Sequence, residues 1–314
     1  MLCCGIDVSK LTLDAAVLTE GGKARFRQFT NDSEGFDELI EWAGGVDKFA
    51  MEATGPYHKA LLRHLNAGGH VAICYNPLRA RKFSEGMGEL NKDDRIDALG
   101  LAKVVARFPM DSKTSLSPVQ EAAQELSRRI QQMVTNRGKD KVRLEEPRTS
   151  DLVRASLERS IAWHDQEVKL LEAELDSLIA SDPKLKERYR LMLSVPHIGP
   201  KTARVLVAEL PEDLDPKKAV GLAGLAPKRR RSGTSLNAPD RITRCCNQRL
   251  KRALYMPAIQ SLRWKDRDLA LFHARLVAAG KHKQQATVAV MRKLLTRVIA
   301  VITRGTPWKM CPTS

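Results

Sequence analysis

The chain has 314 residues, of which 43% are hydrophobic and 5% aromatic, and its formal net charge is +16. This length exceeds what one hydrophobic core usually serves, so we expect at least two domains. The low aromatic content excludes a broad stacking platform for single-stranded nucleic acid. The chain begins without the pattern of a secretory leader, and no apolar run reaches the roughly 18 residues of a membrane span. We therefore expect a protein of the reducing cytoplasm with no membrane partner.

The positive charge is unevenly distributed along the chain. Residues 1–110 hold 14 Lys and Arg against 15 Asp and Glu, a balance of −1, whereas the remaining 39 basic and 22 acidic residues give +17. Because phosphate neutralisation needs clustered Lys and Arg, we expect polyanions to bind mainly to the second two-thirds of the chain. The six cysteines show no C-x-x-C spacing, which argues against structural zinc.

The pattern of the N-terminal third predicts three strands followed by alternating helices and strands. The predicted strands are 3–7, 11–18, 24–29, 48–53 and 70–75, and the predicted helices are 33–43, 58–66 and 91–107. Ser33 is the expected N-cap of the first helix. Three consecutive strands joined by tight turns predict an antiparallel meander. The complete order of elements is that of an α/β fold of the RNase H or RuvC-like kind.

A heptad pattern marks the middle of the chain. Its core positions recur at alternating steps of four and three residues and are Leu157, Ile161, His164, Val168, Leu171, Leu175 and Leu178. Pro147 separates them from an earlier predicted helix over 118–143, so we expect a helical hairpin or dimerising coiled-coil arm. His164 either sets the register from a buried position or lies at a partly exposed edge, and we favour the edge.

After Asp182 the pattern changes to that of a compact, mainly helical domain. Its last predicted helix, 284–302, places apolar residues on one face, as core packing requires. The predicted domains are therefore an α/β domain at 1–112, a helical arm at 113–184 and a mainly α domain at 185–314.

Four acidic residues of the first domain fit a divalent-metal site. Asp7 and Glu52 end predicted strands, and Asp94 and Asp97 lie three apart on one helix face. Clustered carboxylates repel one another unless cations neutralise them, which is how such clusters come to bind Mg²⁺ or Mn²⁺. Asp93, four residues before Asp97, fits the spacing equally well. A single acid of this kind is usually a solvated surface residue, but Glu52 follows an apolar run in which an unpartnered carboxylate is costly.

A run of basic residues in the last domain ends at Ser232. Arginines beside a small Ser-Gly step in a loop can hold phosphate while the hydroxyl reaches phosphorus, so Ser232 is a candidate nucleophile and Ser235 its competitor. From spacing alone, a plain phosphate-binding loop explains the run at least as well. Upstream, a glycine-containing turn precedes a helix whose first amides can meet a DNA phosphate, with ordinary capping as the alternative. The expected nucleic-acid-binding residues are Lys201, Thr202, Lys228, Arg229, Arg230, Arg231, Arg244, Arg249, Lys251 and Arg252.

Six motifs, in this order, resemble the insertion sequence 110 family of transposases, relatives of the Piv-type DNA invertases. The motifs are GIDVSK at 5–10, MEATGPY at 51–57, NKDDRIDA at 91–98, PHIGPKT at 196–202, GLAPKRRRSGTS at 224–235 and LKRALYMP at 250–257. The resemblance extends over nearly the whole chain. Two features depart from the family pattern: Asp93 replaces the usual Thr, and the sequence after Ser235 lacks the family's Arg-Gly-rich turn.

The resemblance implies a RuvC-like domain with a DEDD motif, joined by a coiled coil to a C-terminal transposase domain. The family's K-T-D-x-x-D-A pattern selects Asp94 over Asp93, and its P-x-x-x-x-S-G pattern selects Ser232. It further implies a recombinase that a noncoding bridge RNA directs to donor and target double-stranded DNA. Ser232 would form a covalent phosphoserine link and the four acids would hold Mg²⁺ (or Mn²⁺), with the two parts coming from different subunits of a tetramer. The expected location is the bacterial cytoplasm, at the nucleoid when the enzyme is active.

Two other functions are consistent with the same residues. A RuvC-like junction-resolving nuclease would use the four acids to activate water and Ser232 as a phosphate contact. A non-enzymatic scaffold would bind DNA or RNA without either group reacting.

Overall fold

The structure, a computed structural model, describes residues 2–19, 23–53, 55–88, 93–107, 116–147, 149–212, 215–232, 236–242, 246–263 and 267–309. The chain forms two compact units, Met1–Ser115 and Leu116–Ser314. Each unit has its own buried apolar clusters. The division into three domains at 112 and 184 stays a prediction.

In the described part of the first unit, a five-stranded mixed sheet packs with four helices. In chain order its elements are β1 (Cys3–Val8), β2 (Thr12–Leu18), β3 (Ala24–Thr30), α1 (Ser33–Ala43), β4 (Lys48–Glu52), α2 (His58–Ala67), β5 (Ala72–Tyr75), α3 (Pro77–Gly86) and α4 (Asp94–Arg107). The strand order is β3-β2-β1-β4-β5. β1, β2 and β3 pair antiparallel, and β4 and β5 continue the sheet in parallel with β1. The predicted meander followed by alternating helix and strand is confirmed.

The sheet is covered on both faces because its central strands are apolar at nearly every position. One face of β1 and β4, with Ile6 and Met51, packs with residues of α1 and α2 such as Leu39 and Leu61. The opposite face, with Ala50 of β4, packs against α3 and α4. Successive residues of a strand point to opposite faces, so an uninterrupted apolar run serves two cores at once.

Two local predictions in this unit need correction. Asp32, not Ser33, caps α1, because the Asp32 Oδ1 accepts a hydrogen bond from the Gly35 backbone amide at 2.9 Å. Helix α3 was not predicted, although Asn76 caps its first turn, accepting from the Leu78 amide at 3.1 Å. Pro77 occupies the first helical position, where its fixed φ favours a helix start.

The second unit, as far as its residues are described, is mainly helical with one two-stranded hairpin. Its elements are α5 (Pro118–Leu144), α6 (Asp151–Ser181), α7 (Pro183–Leu193), α8 (Pro200–Glu209), α9 (Pro216–Leu222), β6 (Pro227–Ser232), β7 (Leu236–Ile242), α10 (Gln248–Arg263), α11 (Arg267–Ala278) and α12 (Lys283–Arg304). The predicted last helix is confirmed, with Met291, Leu295 and Val298 buried along one face. Each described helix is too short or too polar to cross a membrane.

The long helices α5 and α6 pack antiparallel as a helical hairpin. Met133 of α5 clusters with Val168 and Leu171 of α6, and Arg137 pairs with Asp165. These contacts confirm the predicted hairpin within one chain. That it also acts as a dimerising coiled-coil arm stays a prediction.

His164 of α6 is buried, at 7% exposure. Its Nε2 lies 3.9 Å from the carboxylate of Asp140 on α5. A hydrogen bond from Ser160 at 2.7 Å lowers the pKa of Asp140, with a smaller contribution from Arg143. The favoured edge position for His164 is therefore wrong, because α5 covers this face of α6.

The basic run that ends at Ser232 is a strand and not a loop. β6 pairs antiparallel with β7, with Pro227 opposite Ile242 and Ser232 opposite Leu236. An irregularity between Lys228 and Arg230 shifts the register. Ser232 thus lies at the far end of β6, at the tip of the hairpin.

Candidate active site

Two of the four predicted acids lie on adjacent parallel strands. β1 and β4 pair with Ile6 opposite Met51, and one further step in that register sets Asp7 beside Glu52. Matching positions on neighbouring strands project to the same face of a sheet. The strand pairing therefore brings these two carboxyl groups to one face at one end of the sheet.

Helix α4 crosses β1 in direct backbone contact on this same face. A Cβ on Gly5 would lie 2.0 Å from the carbonyl oxygen of Ala98 and 2.4 Å from the backbone nitrogen of Ala102. A glycine in a strand often marks such a close approach of another backbone. Because α4 is fixed to β1 at this point, its first turn, which carries Asp94 and Asp97, lies near Asp7.

The other three acids act electrostatically on Asp7. Partial burial raises the pKa of Asp7 from 3.8 to about 6, and the charges of Asp94, Asp97 and Glu52, in that order of size, add to the rise. A hydrogen bond involving the Val8 backbone opposes it. A pKa raised by like charges means that a cation at this place would be favoured.

Asp93 and Asp94 make different interactions. The Asp93 Oδ1 accepts from the Arg95 amide at 2.9 Å, and the Asp93 carbonyl oxygen accepts from the Asp97 amide at 2.8 Å. Asp93 therefore caps α4, while Asp94 and Asp97 are the residues of this helix that raise the pKa of Asp7. The geometry favours Asp94 as the member of the cluster.

The donor set suits a hard divalent cation. Mg²⁺ and Mn²⁺ take carboxylate oxygens as ligands, and the groups available to hold one are Asp7, Glu52, Asp94 and Asp97. Within the described residues, no three His, Cys, Asp or Glu side chains are close enough to form a preformed metal site. The coupling seen in the Asp7 pKa acts over longer distances than ligation, so these side chains would have to converge further on an ion.

A fifth acid, Asp14, borders this cluster and was missed from the sequence. It lies opposite Asp7 in the β1–β2 register and accepts hydrogen bonds from Gln28 Nε2 at 3.0 and 3.2 Å. A cavity of about 290 Å³ extends from Asp14 to Asp94, with Phe26 and Gln28 in its wall. Strand alternation could have placed Asp14 beside Asp7 only once the register of β2 was known.

The predicted nucleophile and the basic run lie in the second unit. The structure describes the backbone of β6 and β7, whereas the side chains of residues 228–241 are outside what it describes. Ser232 and the run from Lys228 to Arg231 are therefore placed by backbone alone. Ser235 and Arg244 lie outside the described residues.

Both ends of this hairpin are tied to α9. Gly224 adopts φ 64°, a left-handed conformation that favours glycine, and the Leu225 amide donates to the Val220 carbonyl at 3.0 Å. After β7, the Asn247 amide donates to the carbonyl of Leu222 at 2.7 Å. The hairpin thus projects from a fixed base.

Asn247 also connects the hairpin base to Glu209, a buried acid that the sequence did not reveal. Glu209 is 3% exposed and accepts from Asn247 Nδ2 at 2.7 Å and from Gln124 Nε2 at 3.2 Å. Arg128 and Arg249 approach the same carboxylate at 3.5 and 3.9 Å. A buried charge needs such partners, and here they join α5, α8 and the start of α10.

The remaining predicted nucleic-acid contacts lie on α8 and α10. Lys201 and Arg252 are exposed, and Lys251 is half-buried. Thr202 Oγ1 donates to the Ala253 carbonyl at 3.4 Å, so this hydroxyl joins the two helices. Arg249 faces Glu209, which gives it a structural contact in addition to any role at the surface.

Comparison with known families gives two ordered matches. Residues 4–147 match a family model of the DEDD type of IS110 transposase, described as "Transposase". Residues 189–274 match a model described as "Transposase IS116/IS110/IS902 family". Together the matches cover well over half of the chain. The chain belongs to the IS110 family of transposases. It is therefore an enzyme that acts on DNA.

Two curated proteins resemble this IS110 transposase along nearly its full length. Both are named pilin gene-inverting protein, one from Moraxella lacunata and one from Moraxella bovis. Each is 28% identical to this transposase, over 97% of this chain and 96% of the relative. The similarity therefore includes both units.

Two solved structures also match part of this transposase. They are Thermus thermophilus RuvC, at 17% identity over 34% of this chain and 96% of that chain, and T. thermophilus RuvC in complex with a Holliday junction substrate, at 15% identity over 35% and 96%. The TM-score is 0.26 in both cases. These scores are too low to bear on the fold, which rests on the sheet order described above.

Proposed function

We propose that this transposase cleaves and rejoins DNA through a covalent link to Ser232, assisted by Mg²⁺ or Mn²⁺ at Asp7, Glu52, Asp94 and Asp97, and is directed by a noncoding bridge RNA. The observation that carries the proposal is the grouping of the four acids around Asp7, whose pKa rises to about 6. The cation would neutralise negative charge that develops on the phosphate oxygens during transfer.

The acids are the residues of the first unit that bind and orient in this reaction. Asp7 and Glu52 are held by paired strands, and Asp94 and Asp97 by the helix that rests on Gly5. Rigid placement on regular elements suits ligands that must converge on one point. Asp93 is occupied in capping α4 and takes no direct part.

Ser232 supplies the nucleophile. Its hydroxyl oxygen forms the bond to phosphorus while the bond from phosphorus to a deoxyribose oxygen breaks. The released deoxyribose oxygen takes up the proton that the serine loses, so the step is a transesterification without net hydrolysis. The anchored base of the β6–β7 hairpin supports this role, since a nucleophile must be presented in a defined orientation.

The acids and Ser232 belong to different units of the chain. The proposal requires them to meet at one scissile phosphate, and we assign them to different subunits of a dimer or tetramer. The α5–α6 hairpin is the element proposed to join the subunits. Two subunits acting together would cut two DNA strands in one assembly.

A guide RNA fits the charge distribution of the chain. The residues after 110 carry a net charge of +17, enough to neutralise many phosphates of RNA and DNA together. Cations that contact the phosphate backbone position a nucleic acid without reading its sequence. The choice of donor and target would then rest on base pairing with the RNA, as in other RNA-guided systems.

The full-length relatives are named for inverting a gene, and inversion requires cutting and rejoining of strands. This favours recombination over the alternative of a junction-resolving nuclease, which cuts by hydrolysis. Covalent retention of the phosphate on Ser232 would conserve the energy of the broken bond for rejoining.

A plasmid recombination assay tests the proposal. With donor plasmid, target plasmid and the cognate noncoding RNA, we expect the wild-type protein to give recombinant product and Asp7→Ala, Glu52→Ala and Ser232→Ala to give none. Omission of the RNA should abolish the product. An equal yield without RNA would contradict guidance by an RNA. Full activity of the two acid variants would contradict a metal site at these acids.

A further inference from the structure

A second cavity, of about 680 Å³, lies between α11 and α12 of the second unit. Among the described residues, four cationic side chains and one acidic side chain line it: Arg275, Arg292, Lys293, Arg297 and Asp268. None of these four cations was among the nucleic-acid-binding residues expected from the sequence. The cavity is therefore a strongly basic groove whose role has yet to be assigned.

Among the described residues, few acidic groups pair with this charge. Asp268 lies 3.6 Å from Arg297. Within the described part of the chain, no carboxylate lies within 4.0 Å of the charged groups of Arg275, Arg292 or Lys293. Like charges lining one groove repel one another, and an anion bound there would relieve this repulsion.

Aromatic rings hold several of these cations in place. Lys293 Nζ lies 4.1 Å from the centroid of the Phe272 ring, and Arg275 Cζ lies 5.6 Å from the same centroid. Arg297 stacks on Trp308 at 5.0 Å. A long side chain restrained by a ring loses less conformational freedom when it binds a ligand. The groove is therefore partly organised for an extended anion.

We propose that the α11–α12 groove binds the phosphodiester backbone of duplex DNA. Arg292 and Lys293 are exposed and would contact phosphate oxygens, with Arg275 on the opposite wall. A chain of phosphates matches a groove lined on both walls by cations better than a single compact anion does. The proposal rests on the membership of a DNA-acting family, and it holds whether or not Ser232 is the nucleophile.

Charge removal at the groove tests this assignment. In the full-length protein, Arg292→Ala with Lys293→Ala should weaken binding of a short DNA duplex about tenfold near physiological salt, because about two phosphate contacts are lost. The slope of log Kd against log salt should fall by about 2, at roughly 0.9 per lost contact. Fluorescence anisotropy over a salt series measures both quantities.

The matched control is Arg159→Ala with Lys186→Ala, two exposed cations on α6 and α7, which removes the same charge elsewhere in the unit. This control should keep the wild-type salt slope. Arg292→Gln with Lys293→Gln, compared by thermal melting, guards against an effect on folding. A groove variant that behaves like the control would overturn the proposal. So would a loss confined to an RNA hairpin, since the groove would then be an RNA site.

Discussion

Gly5 of β1 lies against Ala98 of α4 so closely that a Cβ on the glycine would come within 2.0 Å of the Ala98 carbonyl oxygen. This contact sets the height of α4 above the sheet. It thereby determines how near Asp94 and Asp97 come to Asp7. The position of Asp7 itself is fixed by strand pairing. The acidic cluster depends on a residue that itself carries no chemistry.

Substitution of Gly5 by alanine should separate the two halves of the cluster. The added methyl group meets backbone atoms, which cannot move aside as a side chain can, so we expect destabilisation by about 1–3 kcal/mol. DNA cleavage should fall more than stability does, because α4 moves away from Asp7. Urea denaturation and a cleavage assay measure the two effects. Gly86→Ala is the control, since a Cβ there meets nothing within 4 Å. Equal cleavage by the two variants would contradict this account.

Removal of the charge on Asp7 should stabilise the metal-free protein in a pH-dependent way. The folded-state pKa is raised to about 6 from 3.8, so the stability contribution of protonated Asp7 is complete below about pH 3.8 and is lost as the pH rises through about 6. Above that pH the ionised group costs stability, and Asp7→Asn should gain about 1–2 kcal/mol, after a discount for partial exposure.

The measurement is the free energy of unfolding with a metal chelator, near neutral pH and near pH 4. The gain should shrink at the acidic pH, where Asp7 of the wild type is already neutral. Added Mg²⁺ should stabilise the wild type more than Asp7→Asn. A variant that tracks the wild type at both pH values would show that Asp7 is not coupled to its neighbours.

Asp93 and Asp94 should respond differently to the same substitution. Asp94→Asn removes a proposed metal ligand, and a loss of about 3 kcal/mol of transition-state stabilisation lowers the cleavage rate about a hundredfold. Asp93→Asn keeps a helix-capping side chain and should retain most of the activity. Single-turnover cleavage at saturating Mg²⁺ provides the comparison. The reverse ranking would exchange the roles of the two residues.

The base of the hairpin should matter for the presentation of Ser232. Asn247 also caps α10, because its Oδ1 accepts from the Arg249 amide at 3.0 Å. Asn247→Ser keeps a capping side chain but removes the donor to buried Glu209, at a cost of about 1–3 kcal/mol. Gln124→Leu removes another donor to the same carboxylate, from α5. We expect similar losses of stability in both variants, unchanged DNA affinity, and slower formation of the covalent adduct only in Asn247→Ser. Equal adduct rates would show that Asn247 has a purely structural role.

The sequence predicted those parts of the fold that depend on local pattern. Asp7 and Glu52 could be paired in advance because both follow apolar strands, and the ends of parallel strands meet at one edge. The choice between Asp32 and Ser33 as N-cap could not be made from sequence, since both residue types cap helices well. The backbone conformation at the start of the helix decides which of them does so. Helix α3 carried its own signal in Asn76-Pro77, which was overlooked.

Other features depend on distant partners and have no local signal. The consecutive cations before Ser232 show no alternation of polar and apolar residues, so the sequence alone predicts a loop. The segment is a strand because it pairs with β7. Glu209 resembles an ordinary polar residue at a helix end until α5 and α10 close over it. His164 occupies a heptad core position, but whether that position is covered depends on the packing of α5. The need for glycine at position 5 is evident only from the packing of α4 on the sheet.

The most direct test of the central claim is a search for a denaturation-resistant link between the protein and DNA. Wild-type protein, incubated with substrate DNA, Mg²⁺ and the cognate RNA and then denatured, should carry radiolabelled DNA attached at Ser232. Ser235→Ala should form the same adduct, and Ser232→Ala should form none. Cleavage by Ser232→Ala at the wild-type rate, with no adduct from either protein, would contradict a serine nucleophile and indicate hydrolysis by water.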